Sequence, residues 1–262
     1  MIGFIGLGNM ATAMIGGILK KKLVLPNEII GSAKTESTME KCRSEYGIQV
    51  ADNVSVAAAS DILFLAVKPV FFPEVIAQIK DAVRKETVVV SIAAGKTLAY
   101  IKELFGKDVK LVRCMPNTPA LVLEGCTAVV RGETVTEKEM AQVNSLLSSF
   151  GTVSEVPERM MDVVVGVSGS SPAYVFMFIE AMADAAVCAG MPRKQAYEMA
   201  AQAVLGSAKM VLETGMHPGE LKDMVCSPGG TTIEAVKVLE EMGMRAAVMD
   251  AMDACIEKSK NL

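Results

Sequence analysis

Met1-Ile-Gly-Phe-Ile-Gly-Leu-Gly-Asn-Met-Ala11 opens the chain, and it reads as an apolar strand that turns through Gly6-x-Gly8-x-x-Ala11 into a helix. Each small residue has a task at that spacing. Gly6 permits the tight strand-to-helix turn, Gly8 lets the backbone approach a pyrophosphate, and Ala11 lets helix and strand pack closely. An anion there meets free N–H groups at the positive end of a helix dipole. The helical run Asn9 to Lys20 supplies the strand–turn–helix context that a bare glycine motif lacks. The loop Gly6, Gly8, Asn9, Met10 and Ala11 is therefore expected to hold a dinucleotide.

Working outward, short apolar runs alternate with helical patterns as far as Pro157. Strands are expected at Ile2–Ile5, Glu28–Gly31, Ile48–Val50, Ile62–Ala66, Thr87–Ile92, Lys110–Cys114, Thr127–Val130 and Val153–Glu155, flanked by helices such as Val70–Ala82 and Glu137–Ser149. Near-continuous apolar strands alternating with helices imply an α/β class, a Rossmann-type doubly wound parallel sheet covered on both faces. Such sheets bind ligands beyond the carboxyl ends of their strands. The loops to watch are thus Gly6–Ala11, Ser32–Thr35, Ala66–Pro69, Ile92–Gly95 and Arg113–Pro119.

After Glu158 the strand signals stop. Helices are expected at Ala173–Ala189, Arg193–Thr214, Pro218–Met224, Thr232–Met242 and Arg245–Lys258, so the chain divides into a dinucleotide-binding domain, 1–158, and an all-α domain, 159–262. These helices are rich in Ala and Met and carry more apolar positions than one lone bundle hides. A helix apolar all round is buried in a large core, a membrane or a partner. Partner burial, in a homodimer or a higher homo-oligomer, is the preferred reading; a compact monomeric bundle is the alternative.

The 262 residues suffice for two ordinary domains. Lys+Arg 26 against Asp+Glu 30 gives a net charge of −4, which leaves no basic footprint for nucleic acid. Six scattered cysteines without a C-x-x-C pair indicate neither zinc nor a disulfide framework and fit a reducing cytoplasm. Met1–Leu19 has its lysines after the apolar run, opposite to a secretory signal. Ala173–Ala189 carries Glu180 and Asp184 and is short for a bilayer, so no membrane partner is expected. The two acids could be proton carriers or buried hydrogen-bonding groups.

In NAD-binding units an acid at the end of the second strand bonds the ribose hydroxyls. Here that place reads Gly31-Ser32-Ala33-Lys34-Thr35. A 2′-phosphate is repelled by acids and welcomed by hydroxyls and a cation, so Ser32, Lys34 and Thr35 point to NADPH, with NADH as the alternative.

Four further segments carry more information: Ala66-Val-Lys-Pro69, Met115-Pro-Asn-Thr-Pro119, Ser168-Gly-Ser-Ser-Pro-Ala-Tyr174, and the stretch from His217-Pro-Gly-Glu to Ser227-Pro-Gly-Gly-Thr-Thr232. In this order, after G-x-G-x-x-A, the whole chain resembles the pyrroline-5-carboxylate reductase family. The resemblance implies a Rossmann domain with a helical dimerisation domain, and reduction of a cyclic imine to proline with NAD(P)H. It places cofactor contacts at Ser32, Asn53, Ala66, Val67, Lys68, Pro69, Ile92, Ala93 and Ala94. It places the substrate at Ser227, Gly229, Gly230, Thr231 and Thr232. Cys226, Met224 and Ser171 depart from the family's usual residues, which leaves open the details of the pocket wall and of any cofactor contact by Met224.

A protonated C=N is already electrophilic, so this chemistry needs no metal and no side-chain nucleophile. The only histidine, His217, precedes Pro218 and reads as a turn residue. Ser227–Thr232 leads into a helix whose free N–H groups suit a carboxylate. Thr231 with Glu234 reads as a capping box, while Thr232 is the candidate to reach the ring nitrogen. Other oxidoreductases share this architecture. A β-hydroxyacid dehydrogenase is disfavoured because Ala173–Ala189 holds no lysine; an imine reductase for a larger substrate and a non-catalytic NADP-sensing protein stay open.

Overall fold

The alternating apolar runs fold into an eight-stranded sheet with the order β3-β2-β1-β4-β5-β6-β7-β8, in a computed structural model that describes residues 1–261. The strands are β1 (Ile2–Ile5), β2 (Ile29–Ser32), β3 (Gln49–Val50), β4 (Ile62–Leu65), β5 (Val88–Ser91), β6 (Lys110–Met115), β7 (Gly125–Arg131) and β8 (Gly151–Glu155). Between them lie α1 (Asn9–Lys20), α2 (Glu36–Tyr46), α3 (Asn53–Ala59), α4 (Phe72–Ile79), α5 (Leu98–Phe105) and α6 (Glu137–Leu147). The first strand and first helix occupy the expected residues. β2 begins a residue later than expected because Pro26–Glu28 forms a 3-10 turn, with the Glu28 carboxylate accepting from the Leu25 N–H at 2.7 Å.

The sheet is not wholly parallel, as the sequence reading had it. β7 runs antiparallel to β6, while β8 returns parallel to β7. Residues 116–124 are too few for a parallel crossover, which needs about a dozen residues. They turn back on themselves through a 3-10 segment, Thr118–Val122.

Alternation along each strand divides the core in two. Phe4, Phe64 and Val90 face α1 and pack with Met14, Ile15, Ile18 and Phe150, the Phe4 and Phe64 rings stacked at 4.8 Å. Ile5, Leu63, Leu65 and Val89 face the other way, onto Ile76 and Ile79 of α4 and Phe105 of α5. Full burial of each such side chain contributes about 1.5–3 kcal/mol. Helices α2, α3 and α5, which the apolar pattern alone did not single out, start on side-chain caps. The acceptors are Thr35, Asp52 and Thr97. At α3, hydrogen bonds from the Ser55 backbone N–H and then the Ser55 hydroxyl hold the Asp52 carboxyl below its usual range.

The chain separates into two compact units: residues 1–170 together with the segment from Cys255 onward, and residues 171–254. This division falls later than 158/159, and for identifiable reasons. Met161 of α7 (Met161–Val164) is buried against Ala128 and Val130 of the sheet. The π-helical turn that follows, Val165–Gly169, is pinned by Asn117, whose Nδ2 donates to the Ser168 carbonyl at 3.0 Å. Ser259 Oγ donates to Asp162 Oδ1 at 2.7 Å.

The second unit is helical: α8 (Ser171–Cys188), α9 (Arg193–Thr214), α10 (Pro218–Val225), α11 (Thr231–Glu241) and the first part of α12 (Met244–Lys260). Its buried residues are Ala183, Ala196 and Ala200. Phe176, Met177, Leu205, Leu212, Met242 and Met249 are among many large apolar side chains left exposed on it.

Candidate functional site

β1 lies between β2 and β4, so the connections leaving its two sides run in opposite directions and open a crevice at the strand ends. Gly6 sits at that point with φ +97°, and a Cβ there would lie 2.6 Å from the Ala66 carbonyl oxygen. Only glycine fits. Its N–H donates to the Ser32 carbonyl at 2.9 Å, tying the turn to the end of β2. Gly8 is the N-cap of α1 and supplies no side-chain cap, and the first helical turn holds no acid. A Cβ on Gly8 would meet no protein atom within 4 Å. The helix thus presents bare N–H groups and a positive dipole end to open space, which is the environment a phosphate requires.

In front of this helix end is a cavity of about 500 Å³. Of the expected cofactor residues, Gly6, Gly8, Ser32, Lys34, Asn53, Val67 and Lys68 line it. Asn9, Met10 and Ala11 form the first turn of α1, with Ala11 buried in the core beneath. Ala66 ends β4's run, its N–H donating to the Ile5 carbonyl at 2.8 Å, and Pro69 opens a 3-10 turn. Ile92, Ala93 and Ala94 follow β5 and stand outside the cavity lining; Ala93 is buried among the residues facing α4 and α5.

The lining residues that were not foreseen are Ile5, Thr38, Phe71, Glu74, Val75 and Gln78. Thr38, in the first turn of α2, shares a 2.8 Å hydrogen bond with Thr35, the cap of that helix. Phe71 carries the Lys34 ammonium 5.6 Å from its ring centroid, a cation–π contact that keeps the lysine at the cavity rim. Gln78 reaches in from α4. Glu74 is the carboxylate of the lining; the place at the end of β2 where an NAD-type site carries an acid is held by Ser32. The donors, the cation and the space fit a phosphorylated dinucleotide.

The second candidate region lies in the helical unit. Ser227-Pro228-Gly229-Gly230 has the residue order of a type II turn, closed by the Gly230 N–H donating to the Ser227 carbonyl at 3.0 Å, with Gly229 at φ +67°. Gly230 is the N-cap of α11 and makes no side-chain cap. The capping box expected of Thr231 and Glu234 is therefore absent. The turn delivers the chain into the helix one residue early, and Thr231 is its first helical residue. That leaves the N–H groups at the start of α11 without a side-chain acceptor, and Thr232 half-buried one position further on.

His217 is the cap of α10: its Nδ1 accepts from the Gly219 N–H at 3.0 Å. Glu180 and Asp184 are exposed rather than buried, since their helix leaves that face uncovered within one chain, and Asp184 pairs with Arg193 of α9. Among the described residues no group of three or more His, Cys, Asp or Glu side chains is placed to hold a metal ion.

Residues 158–262 match the family described as pyrroline-5-carboxylate reductase dimerisation, and residues 1–95 match the family described as NADP oxidoreductase, coenzyme F420-dependent. A pyrroline-5-carboxylate reductase of Escherichia coli (strain K12) is 55% identical over 262 residues, covering 100% of this chain and 97% of the relative. Among solved structures, a pyrroline-5-carboxylate reductase from Coxiella burnetii superposes with a TM-score of 0.92 at 34% identity, covering 99% of this chain and 97% of that one. A Plasmodium falciparum pyrroline carboxylate reductase with NADP bound gives a TM-score of 0.91 at 31% identity over the same shares. With likeness at this level running through both units, the chain belongs to the pyrroline-5-carboxylate reductase family.

Proposed function

We propose that this protein reduces 1-pyrroline-5-carboxylate to L-proline, the last step of proline biosynthesis, using NADPH in preference to NADH. The observation that carries the reading is the whole-chain likeness, 55% identical across 262 residues, which takes in both the glycine loop and the Ser227–Thr232 turn. When bound, a reduced nicotinamide supplies the hydride. The protein's part is to hold and orient. The N-terminus of α1 with Gly6 and Gly8 binds the phosphates, and Ser32, Lys34 and Asn53 meet the ribose 2′-phosphate. The N–H groups opening α11 hold the substrate carboxylate, which explains how a chain of net charge −4 binds an anion without a basic patch. The Thr232 hydroxyl accepts a hydrogen bond from the protonated ring nitrogen and keeps that nitrogen placed as the imine becomes an amine.

The reading includes a homodimer or a larger homo-oligomer, acting in the cytoplasm. The exposed apolar side chains of α8 to α12 support it, because a patch of this extent in water marks an interaction surface. The helical run Glu158–Cys188 has the length and apolarity of a membrane span; a second copy covering it accounts for the same exposed surface. NADPH oxidation followed with 1-pyrroline-5-carboxylate, beside the NADP+-linked oxidation of a β-hydroxy acid and the reduction of a larger cyclic imine, tests the activity. The highest kcat/KM is expected for 1-pyrroline-5-carboxylate, and faster turnover of either alternative overturns the assignment.

A further inference from the structure

Gln78 stands on α4, exposed to solvent and at the cavity edge. It joins the end of β2 through a two-step relay: Ser32 Oγ donates to Asn53 Oδ1 at 2.7 Å, and Asn53 Nδ2 donates to Gln78 Oε1 at 2.8 Å. A carboxamide carries a donor nitrogen and an acceptor oxygen on one planar group of nearly twofold shape. Turning both amides over gives a second complete relay of opposite polarity, in which Gln78 Nε2 donates to Asn53 Oδ1 and Asn53 Nδ2 donates to Ser32 Oγ. The side chains occupy the same space in both.

What differs is the hydrogen of Ser32. In the first polarity it is bound to Asn53, and Ser32 shows the cavity only lone pairs. In the second, Ser32 accepts from Asn53 and its hydrogen is free to donate into the cavity. Ser32 is 2% exposed, so the relay rather than bulk water decides where that hydrogen points. A ribose 2′-hydroxyl can donate to the lone pairs of the first polarity. A 2′-phosphate is an acceptor only and needs the second.

We propose that Gln78 is a specificity-determining residue that acts through Asn53 and Ser32: its amide, able both to donate and to accept, lets the relay reverse and so admits a 2′-phosphorylated dinucleotide. The proposal rests on the reading that Ser32 faces the cofactor ribose. A carboxylate at position 78 only accepts, which locks the first polarity; a thioether at that position releases Asn53 to turn either way.

The test is the ratio of Kd values for NADP+ and NAD+, measured by titration calorimetry on the full-length protein for the parent, Gln78→Glu, Gln78→Met, Ser32→Ala and the Ser32→Ala/Gln78→Glu double variant. Gln78 is exposed on its helix, so its variants are expected to fold as the parent does. Gln78→Glu should weaken NADP+ relative to NAD+ by about tenfold or more, the worth of one hydrogen bond to a charged group, and Gln78→Met by less than about threefold. The glutamate's own charge is separated by the double variant. Without the Ser32 hydroxyl there is nothing to orient, so the Gln78→Glu shift should fall to less than half its parental value, whereas a charge felt through space persists undiminished. A shift that persists, or a Gln78→Glu ratio within about threefold of the parent, overturns the proposal. A Ser32→Ala ratio equal to the parent's overturns instead the reading that Ser32 meets the ribose.

Discussion

Gly6 and Gly8 stand two residues apart and answer to different demands, which substitution should separate. At Gly6 an added methyl meets the Ala66 carbonyl oxygen at 2.6 Å, on a backbone of φ +97°, so Gly6→Ala should cost about 2–4 kcal/mol in denaturant unfolding. At Gly8 the backbone is ordinary, φ −81°, and the space is open. Gly8→Ala should change stability by less than about 1 kcal/mol yet weaken NADP+ binding by about tenfold or more, or 1.4 kcal/mol, in calorimetry, because the methyl fills the place proposed for a phosphate. If Thr232 bonds the ring nitrogen as proposed, Thr232→Ala should lower kcat and kcat/KM together by about 5- to 150-fold. Parental kinetics with 1-pyrroline-5-carboxylate would show Thr232 to be part of the helix start alone. The turn at Gly6, the bare helix start at Gly8 and the turn before Thr232 were legible because a local spacing encodes them. Phe71 and Gln78 were not, because they reach the cavity from the 3-10 turn Pro69–Phe71 and from α4, and no interval along the chain from the glycines records that approach. Thr38 was missed for a simpler reason: it lies a turn into α2, a helix with little apolar signal.

Between elements, the same four-residue pattern has two outcomes. Thr136-x-x-Glu139 closes a full capping box on α6, with the Glu139 carboxylate accepting from the Thr136 N–H at 2.9 Å, whereas Thr231-x-x-Glu234 does not, since the Ser227–Gly230 turn has already capped α11. Thr136→Ala should therefore cost about 1 kcal/mol in denaturant unfolding, and Thr231→Ala much less. The first box also has a pH signature. Burial alone would push the Glu139 carboxyl up, but hydrogen bonds from Lys110 and Thr136 outweigh it and hold the group below its usual range. A depressed folded pKa adds stability that is present above the unfolded value, about 4.3, and is lost as pH falls through the folded one. The stability difference between the parent and Glu139→Gln should accordingly shrink as pH is lowered below about 4. Strand and helix positions were read to within a few residues because apolar runs and their 3.6- and 2-residue periods are local. The antiparallel β7 was missed although the short link 116–124 rules out a crossover, since β6 and β7 each read as ordinary buried strands.

At the scale of the whole molecule, burial is unequal. The sheet unit encloses two extensive cores, while the helical unit buries only alanines within one chain. Apolar periodicity announced that surplus, but not which helix faces the second copy uses. Phe176, 61% exposed, is a natural anchor, and Phe176→Glu should weaken self-association by at least about 2 kcal/mol, the scale of an interface hot spot. Light scattering at micromolar concentration should then give a larger share of monomer, and the thermal midpoint of the parent should rise with protein concentration while that of the variant does not. The division of the chain has a temporal side as well. Asp162 takes its hydrogen bond from Ser259, and everything between residues 171 and 254 belongs to the other unit. A ribosome adds about 5–20 residues per second, so for several seconds of synthesis the sheet unit waits, unclosed, while the apolar helices emerge first. The sheet unit is finished last although its first strand is made first, and during that interval the nascent helices are free to meet a second copy or a chaperone.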